Sequence, residues 1–344
     1  MRRSLLVLGL TIVVVAAACG GGGDDSSAQE SGPTTTTTEA PPPVAPLTGL
    51  PDPGGAVQGR PALSVKVDNA NFERVRPQSG LDRADVVYEE VTEGGITRFL
   101  AMFQSQVPDE VGPIRSVRSI DPDLVTPVGG IFAYSGGVQA NVEKLQQAPV
   151  NPIDEGNAGD AFFRDPSRSD ESEHTLFGRG QALFDKGGQP TPPPPLFQYL
   201  TEGEVVAGEP IAAFTVGFES GYAPTYTYDA ATGTWPRAIG DVPFTMIDGT
   251  QVAPTNVIVQ FTEYTGGGEG NVLGEGDAWI FTGGQLVRGR WTRASVDQPA
   301  QYVDGFGQPV KTAPGATWVE LLPIGGPVDL VPAAPTEPAP PPSS

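Results

Sequence analysis

Ala84-Asp85-Val86-Val87-Tyr88-Glu89-Glu90-Val91-Thr92-Glu93-Gly94-Gly95-Ile96-Thr97-Arg98-Phe99-Leu100-Ala101-Met102-Phe103-Gln104 is the stretch on which the fold turns. Two runs of β-branched, aromatic and aliphatic residues flank Glu93-Gly94-Gly95, a tight-turn signal, so the pattern predicts a hairpin with strands at 84–91 and 96–104. Both runs are apolar on both faces, which suits a sheet covered on both sides.

Working outward, 62–67 reads as a further strand. Gly112-Pro113 is a turn, and a short helix opens near Asp121-Pro122, where proline is tolerated. A strand at 130–135 then runs through Gly136-Gly137 into a helix at 138–147, with Val138, Val142 and Leu145 at helical spacing. Strand, helix and strand in succession predict an α/β layer over 47–189. The run Pro190-Thr191-Pro192-Pro193-Pro194-Pro195 blocks both helix and central strand and marks a joint at 190–204. Beyond it, short runs at 213–218, 225–229, 257–264, 277–281, 286–293 and 317–322 alternate with Gly, Pro and Asp. They predict an antiparallel β-rich domain over 205–324. The expected fold class is therefore α+β or α/β: an N-terminal α/β domain with a mixed sheet, then a C-terminal antiparallel β-rich domain.

The ends differ in kind. Arg2 and Arg3, a 14-residue apolar run over 5–18 and Ala16-Ala17-Ala18-Cys19 form a signal peptide at 1–18 ending in a lipobox. That run is too short to span a bilayer, which takes about 20 residues. Ala16 stands where a lipobox usually has leucine, so a plain secretory peptide is the competing reading. With the lipobox used, Cys19 carries the lipid and two acyl chains hold the protein on the outer face of the cell membrane. The segment 19–46, with its Thr and Pro runs, reads as a disordered stalk open to glycosylation, and 325–344 as a disordered tail.

Composition excludes several chemistries. Cys19 and His174 are the single cysteine and histidine, so disulfides, thiolate or His-rich metal sites and cysteine nucleophiles are ruled out in the body, and no cofactor is expected. The formal net charge of −21 argues against nucleic-acid binding. Basic residues nonetheless concentrate between Arg60 and Lys186, where an anionic small molecule or envelope glycan is to be sought.

Arg98 lies inside an apolar strand and must find a partner, with Glu89, Glu90 and Glu93 across the hairpin. It either fixes strand register as an ion pair or floors a cleft at the strand ends. Arg115 and Arg118 share a face if their segment is helical and oppose each other if it is extended; together they suit bidentate recognition of phosphate or carboxylate. Gly136 and Gly137, between strand and helix, offer backbone N–H groups to an anion. His174, among Glu171, Glu173 and Arg164, is a general base oriented by Glu173 or a loop tie.

The strings Arg60-Pro61-Ala62-Leu63-Ser64-Val65-Lys66-Val67-Asp68-Asn69, Arg76-Pro77-Gln78-Ser79-Gly80-Leu81, Ala84-Asp85-Val86-Val87-Tyr88-Glu89, Glu93-Gly94-Gly95-Ile96-Thr97-Arg98, Gly112-Pro113-Ile114-Arg115-Ser116-Val117-Arg118 and Glu173-His174-Thr175-Leu176-Phe177 resemble the YerB-like family of bacterial lipoproteins. Later strings, among them 256–260, 274–278 and 314–319, resemble that family's C-terminal domain. Thr175 departs from the asparagine expected after the histidine. The resemblance implies a two-domain extracytoplasmic lipoprotein and brings no established activity with it. It groups Arg76, Glu89, Glu93, Arg98, Arg115, Arg118 and His174 as one site or one polar core. Two functions follow as expectations: a surface-tethered binding or structural lipoprotein with an arginine-lined polar cleft, or a cofactor-free hydrolase or transferase of glycan or phosphorylated glycan using Glu89 or Glu93 with His174.

Overall fold

The computed structural model describes residues 43–69, 75–168, 174–187, 191–218, 221–266 and 268–334. The signal peptide, Cys19, most of the stalk, Pro190 and the last ten residues of the tail lie outside them. Sixteen described strands join in one sheet. In chain order they are β1 (Leu63–Asp68), β2 (Val86–Val91), β3 (Thr97–Phe103), β4 (Ile131–Ala133), β5 (Asn151–Ile153), β6 (Glu209–Val216), β7 (Pro224–Thr227), β8 (Arg237–Ile239), β9 (Val242–Pro243), β10 (Asn256–Thr265), β11 (Glu269–Asn271), β12 (Gly274–Thr282), β13 (Gln285–Arg293), β14 (Gln301–Asp304), β15 (Thr317–Pro323) and β16 (Val328–Pro332). The spatial order is β9-β8-β7-β6-β13-β12-β10-β15-β2-β3-β1-β4-β5, with β11 beside β10, β14 beside β13 and β16 beside β6.

The hairpin is β2 and β3, paired antiparallel around a turn in which Gly94 has φ +76°. Both strands are buried along their whole length, as is β1. One face of the sheet packs Tyr88, Leu100, Met102, Phe132, Ile258 and Val319. The other packs Val65, Val87, Phe99, Ala101 and Trp318.

Three expectations are corrected. The protein is mostly β: the described α-helices are α1 (Asp121–Val125), α2 (Gln139–Gln147) and α3 (Gly180–Phe184), of which only α2 exceeds five residues. The C-terminal part is not purely antiparallel, nor does it keep a sheet to itself, because β15 runs parallel to both β10 and β2. Trp318, Val319, Leu321 and Leu322 are all buried, and a strand apolar on both faces seeks a neighbour on each edge; local pattern does not say which. Finally, order extends past both expected ends of the body. Val44 bridges to Pro51, and β16 lies within the segment read as tail, pairing with β6 from Val216 to Ile211. The backbone hydrogen bonds of that ladder outweigh a composition rich in proline only beyond it.

Candidate functional site

Asp68, the last residue of β1, collects the site. β4 covers only Leu63 to Val65 of β1's edge; the segment 113–115 takes over beyond it, with Asp68 N–H on the Pro113 carbonyl at 2.8 Å and Arg115 N–H on the Lys66 carbonyl at 2.9 Å. That segment enters through Gly112 at φ +154°, where a Cβ would sit 2.8 Å from the Phe177 ring. Ile114 N–H bonds the Leu176 carbonyl at 2.7 Å, which brings the segment that follows His174 alongside. The Asp68 carboxylate is thus met by the Arg98 guanidinium, by Arg115 Nε at 3.2 Å and by His174 Nδ1 at 2.6 Å. Asp68 and Arg98 are buried, whereas Arg115 and His174 keep 17% and 12% of their side-chain surface in solvent. A buried acid therefore organises basic side chains that reach outward.

The rim is also polar. Ser135 N–H bonds the Arg115 carbonyl at 2.9 Å, and Val117 N–H the Gly136 carbonyl at 3.1 Å. Ser116 Oγ donates to the Ser135 carbonyl at 2.9 Å. Arg164 spans Thr175 Oγ1 (3.2 Å) and Glu155 (2.7 Å). Arg118 donates from Nε to Glu93 at 2.9 Å and from Nη1 to the Ser116 and Val117 carbonyls. Gly136 and Gly137 are exposed, and at Gly137 a Cβ would come 2.7 Å from Val117 Cγ1.

Not every residue anticipated for the site is here. Alternation along a strand sends successive side chains to opposite faces, so Asp68, Arg98 and Glu90, which align across β1, β3 and β2, lie on one face and Glu89 on the other. Glu89 bonds Arg237 at 2.5 Å, Thr97 Oγ1 at 2.6 Å and Asn69 Nδ2 at 3.1 Å. Arg76 joins that second network through Asn69 Oδ1 at 2.8 Å and lies over the Phe244 ring at 4.9 Å; burial lowers its pKa. Arg98 pairs with Asp68 rather than a hairpin glutamate, because Glu90 is taken by Lys66. His174 is oriented by Asp68; Glu173 lies outside the described residues.

Two buried triads escaped the sequence reading. Lys66 meets Glu90 and, at 2.9 Å, Asp121, all three fully buried. Burial first, then Asp121, push the Glu90 carboxyl up to about 8, against the pull of Lys66. On the opposite face Arg237 joins Glu89 to Glu320, the latter at 2.7 Å, with Tyr222 Oη at 2.6 Å and Tyr226 bonded to both Arg237 and Glu320. Burial, then Glu89, raise Glu320 to about 8. Each triad has one base for two acids, and the surplus acid keeps its proton. The available signal was a charged residue inside an apolar strand, as at Lys66 and Glu320. Among the described residues no three His, Cys, Asp or Glu side chains are arranged to hold a metal ion.

Comparison with known proteins agrees with this architecture. Residues 47–189 match the N-terminal domain, and 214–319 the C-terminal domain, of a family described as a protein of unknown function, DUF3048. The chain is 29% identical over 303 residues to YerB of Bacillus subtilis (strain 168), named as a candidate lipoprotein, covering 81% of this chain and 86% of the relative. The crystal structure of Bacillus subtilis YerB superposes with a TM-score of 0.70 at 26% identity, covering 83% of this chain and 99% of that one. The chain belongs to this YerB-like two-domain family.

Proposed function

We propose that the protein is a lipid-anchored lipoprotein of the cell envelope that binds an anionic group, phosphate or carboxylate, at the basic side chains gathered on Asp68. The observation that carries this reading is the gradient of exposure: a fully buried Asp68 fixes Arg115 and His174, whose outer surfaces remain in water. Guanidinium groups recognise phosphate and carboxylate through paired N–H donors. Arg118 and the exposed Gly136-Gly137 stand on the same segments, within an otherwise acidic molecule. The test is titration with inorganic phosphate and with phosphorylated envelope glycan, followed by thermal shift. Saturable stabilisation that disappears in Arg115→Ala supports the site; equal stabilisation of both proteins removes it.

A second reading, hydrolysis or transfer on phosphorylated glycan, has one observation in its favour. His174 Nδ1 lies 2.6 Å from a buried carboxylate, an arrangement that holds the ring so that Nε2 can take a proton. Glu89 has no part in it, being closed on Arg237 behind the sheet. Turnover of such a glycan that is abolished in His174→Ala would favour this reading over simple binding.

A further inference from the structure

Phe306 and Val205, 91% and 87% exposed, are the two large apolar side chains most open to water among the described residues. Phe306 sits at the tip of the turn after β14, and hydrogen bonds fix that turn. Asp304 Oδ1 accepts from the Phe306 and Gln308 N–H groups at 2.9 and 2.8 Å, while Asp304 N–H bonds the Gln308 carbonyl at 2.8 Å. Just beyond the turn, Pro309 and Val310 wall one groove with Leu200 and Val205. The two exposed residues thus belong to one corner of the body.

The chain enters the body at the same corner. Pro43 and Val44 are the first described residues, and Val44 bridges to Pro51. Tyr199 Oη donates to the Pro46 carbonyl at 3.3 Å, and Gln198-Tyr199 pair in parallel with Lys311-Thr312. Val205 lies six positions after Tyr199 and Phe306 six before Thr312, at most about 22 Å along the chain in either case. Val44 and Leu50, at the entry itself, are exposed as well.

We infer that this corner rests on the lipid bilayer, with Phe306 and Val205 inserted at the boundary of headgroups and acyl chains. The inference rests on the lipid anchor at Cys19 proposed above. Cys19, outside the described residues, precedes Pro43 by 24 positions. A coil of that length has a root-mean-square span of roughly 25–30 Å, so the anchor keeps the entry corner near the membrane. Two apolar side chains are too weak a signal to hold a protein on a bilayer unaided. Tethering raises the effective concentration of such a contact to about millimolar, and the contact then serves to orient the body. Its chemistry is apolar: Lys311 is paired with Glu204, and the formal net charge of −21 opposes anionic lipid.

The test supplies the anchor chemically, so that it does not depend on lipidation of Cys19. The chain from residue 19 carries Cys19→Ser, Gln308→Cys with a polarity-sensitive fluorophore on that single thiol, and an N-terminal histidine tag. It is held on phosphatidylcholine vesicles containing a nickel-chelating lipid. Emission should shift to the blue on the vesicles and be quenched by nitroxide placed on the acyl chains. Phe306→Ser combined with Val205→Ser should lose both effects at an unchanged melting midpoint, and Phe306→Leu should retain them. Adding phosphatidylglycerol should not strengthen them. Emission on vesicles equal to that in solution would overturn the inference, as would a shift that survives the double substitution. A shift without vesicles that grows with protein concentration would seat a second copy at this corner and overturn it too. Attachment of lipid in the cell is read separately, by fractionation of Cys19→Ser, so the two failures are distinct.

Discussion

Glu89 and Glu320 stand directly opposite each other on the adjacent parallel strands β2 and β15, both fully buried, with Arg237 bonded to each. Like charges in that position repel. Arg237 balances one negative charge, and a proton on the pair balances the other. The contact joins the two family domains, since Glu89 falls in one and Glu320 just beyond the other.

Arg237→Met should therefore cost about 3–5 kcal/mol, because it strands buried carboxylates rather than exchanging a whole network for apolar packing. Urea unfolding monitored by tryptophan fluorescence measures it. Glu320→Gln, which keeps the shape and removes the surplus acid, should stay within about 1.5 kcal/mol of the parent.

Stability should depend on pH with a definite sign. Glu90 and Glu320 titrate near 8 when folded and at about 4.3 when unfolded. Between those values the folded state holds protons that the unfolded state has released. Stability contributed by these groups is complete below the unfolded value and is lost as pH rises to about 8, where it levels off. Denaturation between pH 5.5 and 8.5 should show this decline, Glu320→Gln should make it shallower, and adding Glu90→Gln should flatten it further. A rise across that window would contradict the assignment.

The Asp68 cluster should respond unequally to loss of its members. Asp68→Ala removes the buried carboxylate that Arg98, Arg115 and His174 share and should destabilise by about 3–5 kcal/mol. Arg115→Ala leaves Asp68 with Arg98 and His174, and its own side chain is partly in solvent, so the expected cost is about 1–2 kcal/mol. Melting midpoints of the two variants without added ligand check the difference.

Cleavage in the proline-rich joint should not part the two halves. Residues 191–195 lie outside regular structure and several are exposed, yet β15 remains paired between β10 and β2. Nicked protein should elute as one species in gel filtration and separate only in denaturant. Dissociation under native conditions would show that the shared sheet does not bind the halves.

Anchoring has a simple test. Cys19→Ser should move the protein from the membrane fraction to the medium, because a pair of acyl chains is the strong anchor that the sequence offers. Retention on washed membranes at the parental level would refute lipid attachment.

The hairpin at β2 and β3 was legible because its turn and its two apolar runs are contiguous. Strands at 257–264, 286–293 and 317–322 were found within two residues at each end for the same reason. The residues of the site were legible one at a time, as arginines and a histidine in unusual surroundings. Their grouping was not: Glu89 and Glu90 are neighbours in sequence and belong to different networks on opposite faces, a separation that follows from the period of two along a strand. Asp68 gave no warning of its role, since an acid at a strand end is ordinarily a solvated one.

The sequence by itself determined the apolar runs that must be buried, the glycines that turn them, and the single cysteine and single histidine that bar thiol-rich and multi-histidine chemistry. Those properties reside in single residues and their near neighbours. Only the tertiary structure decided that β15 lies between β10 and β2, that β16 continues the body beyond the expected tail, and that Arg98, Arg115 and His174 close on one carboxylate. Strand partners are chosen by pairing over long separations, and His174 lies 106 positions beyond Asp68. An ion pair across that distance exists only once the sheet has assembled around it.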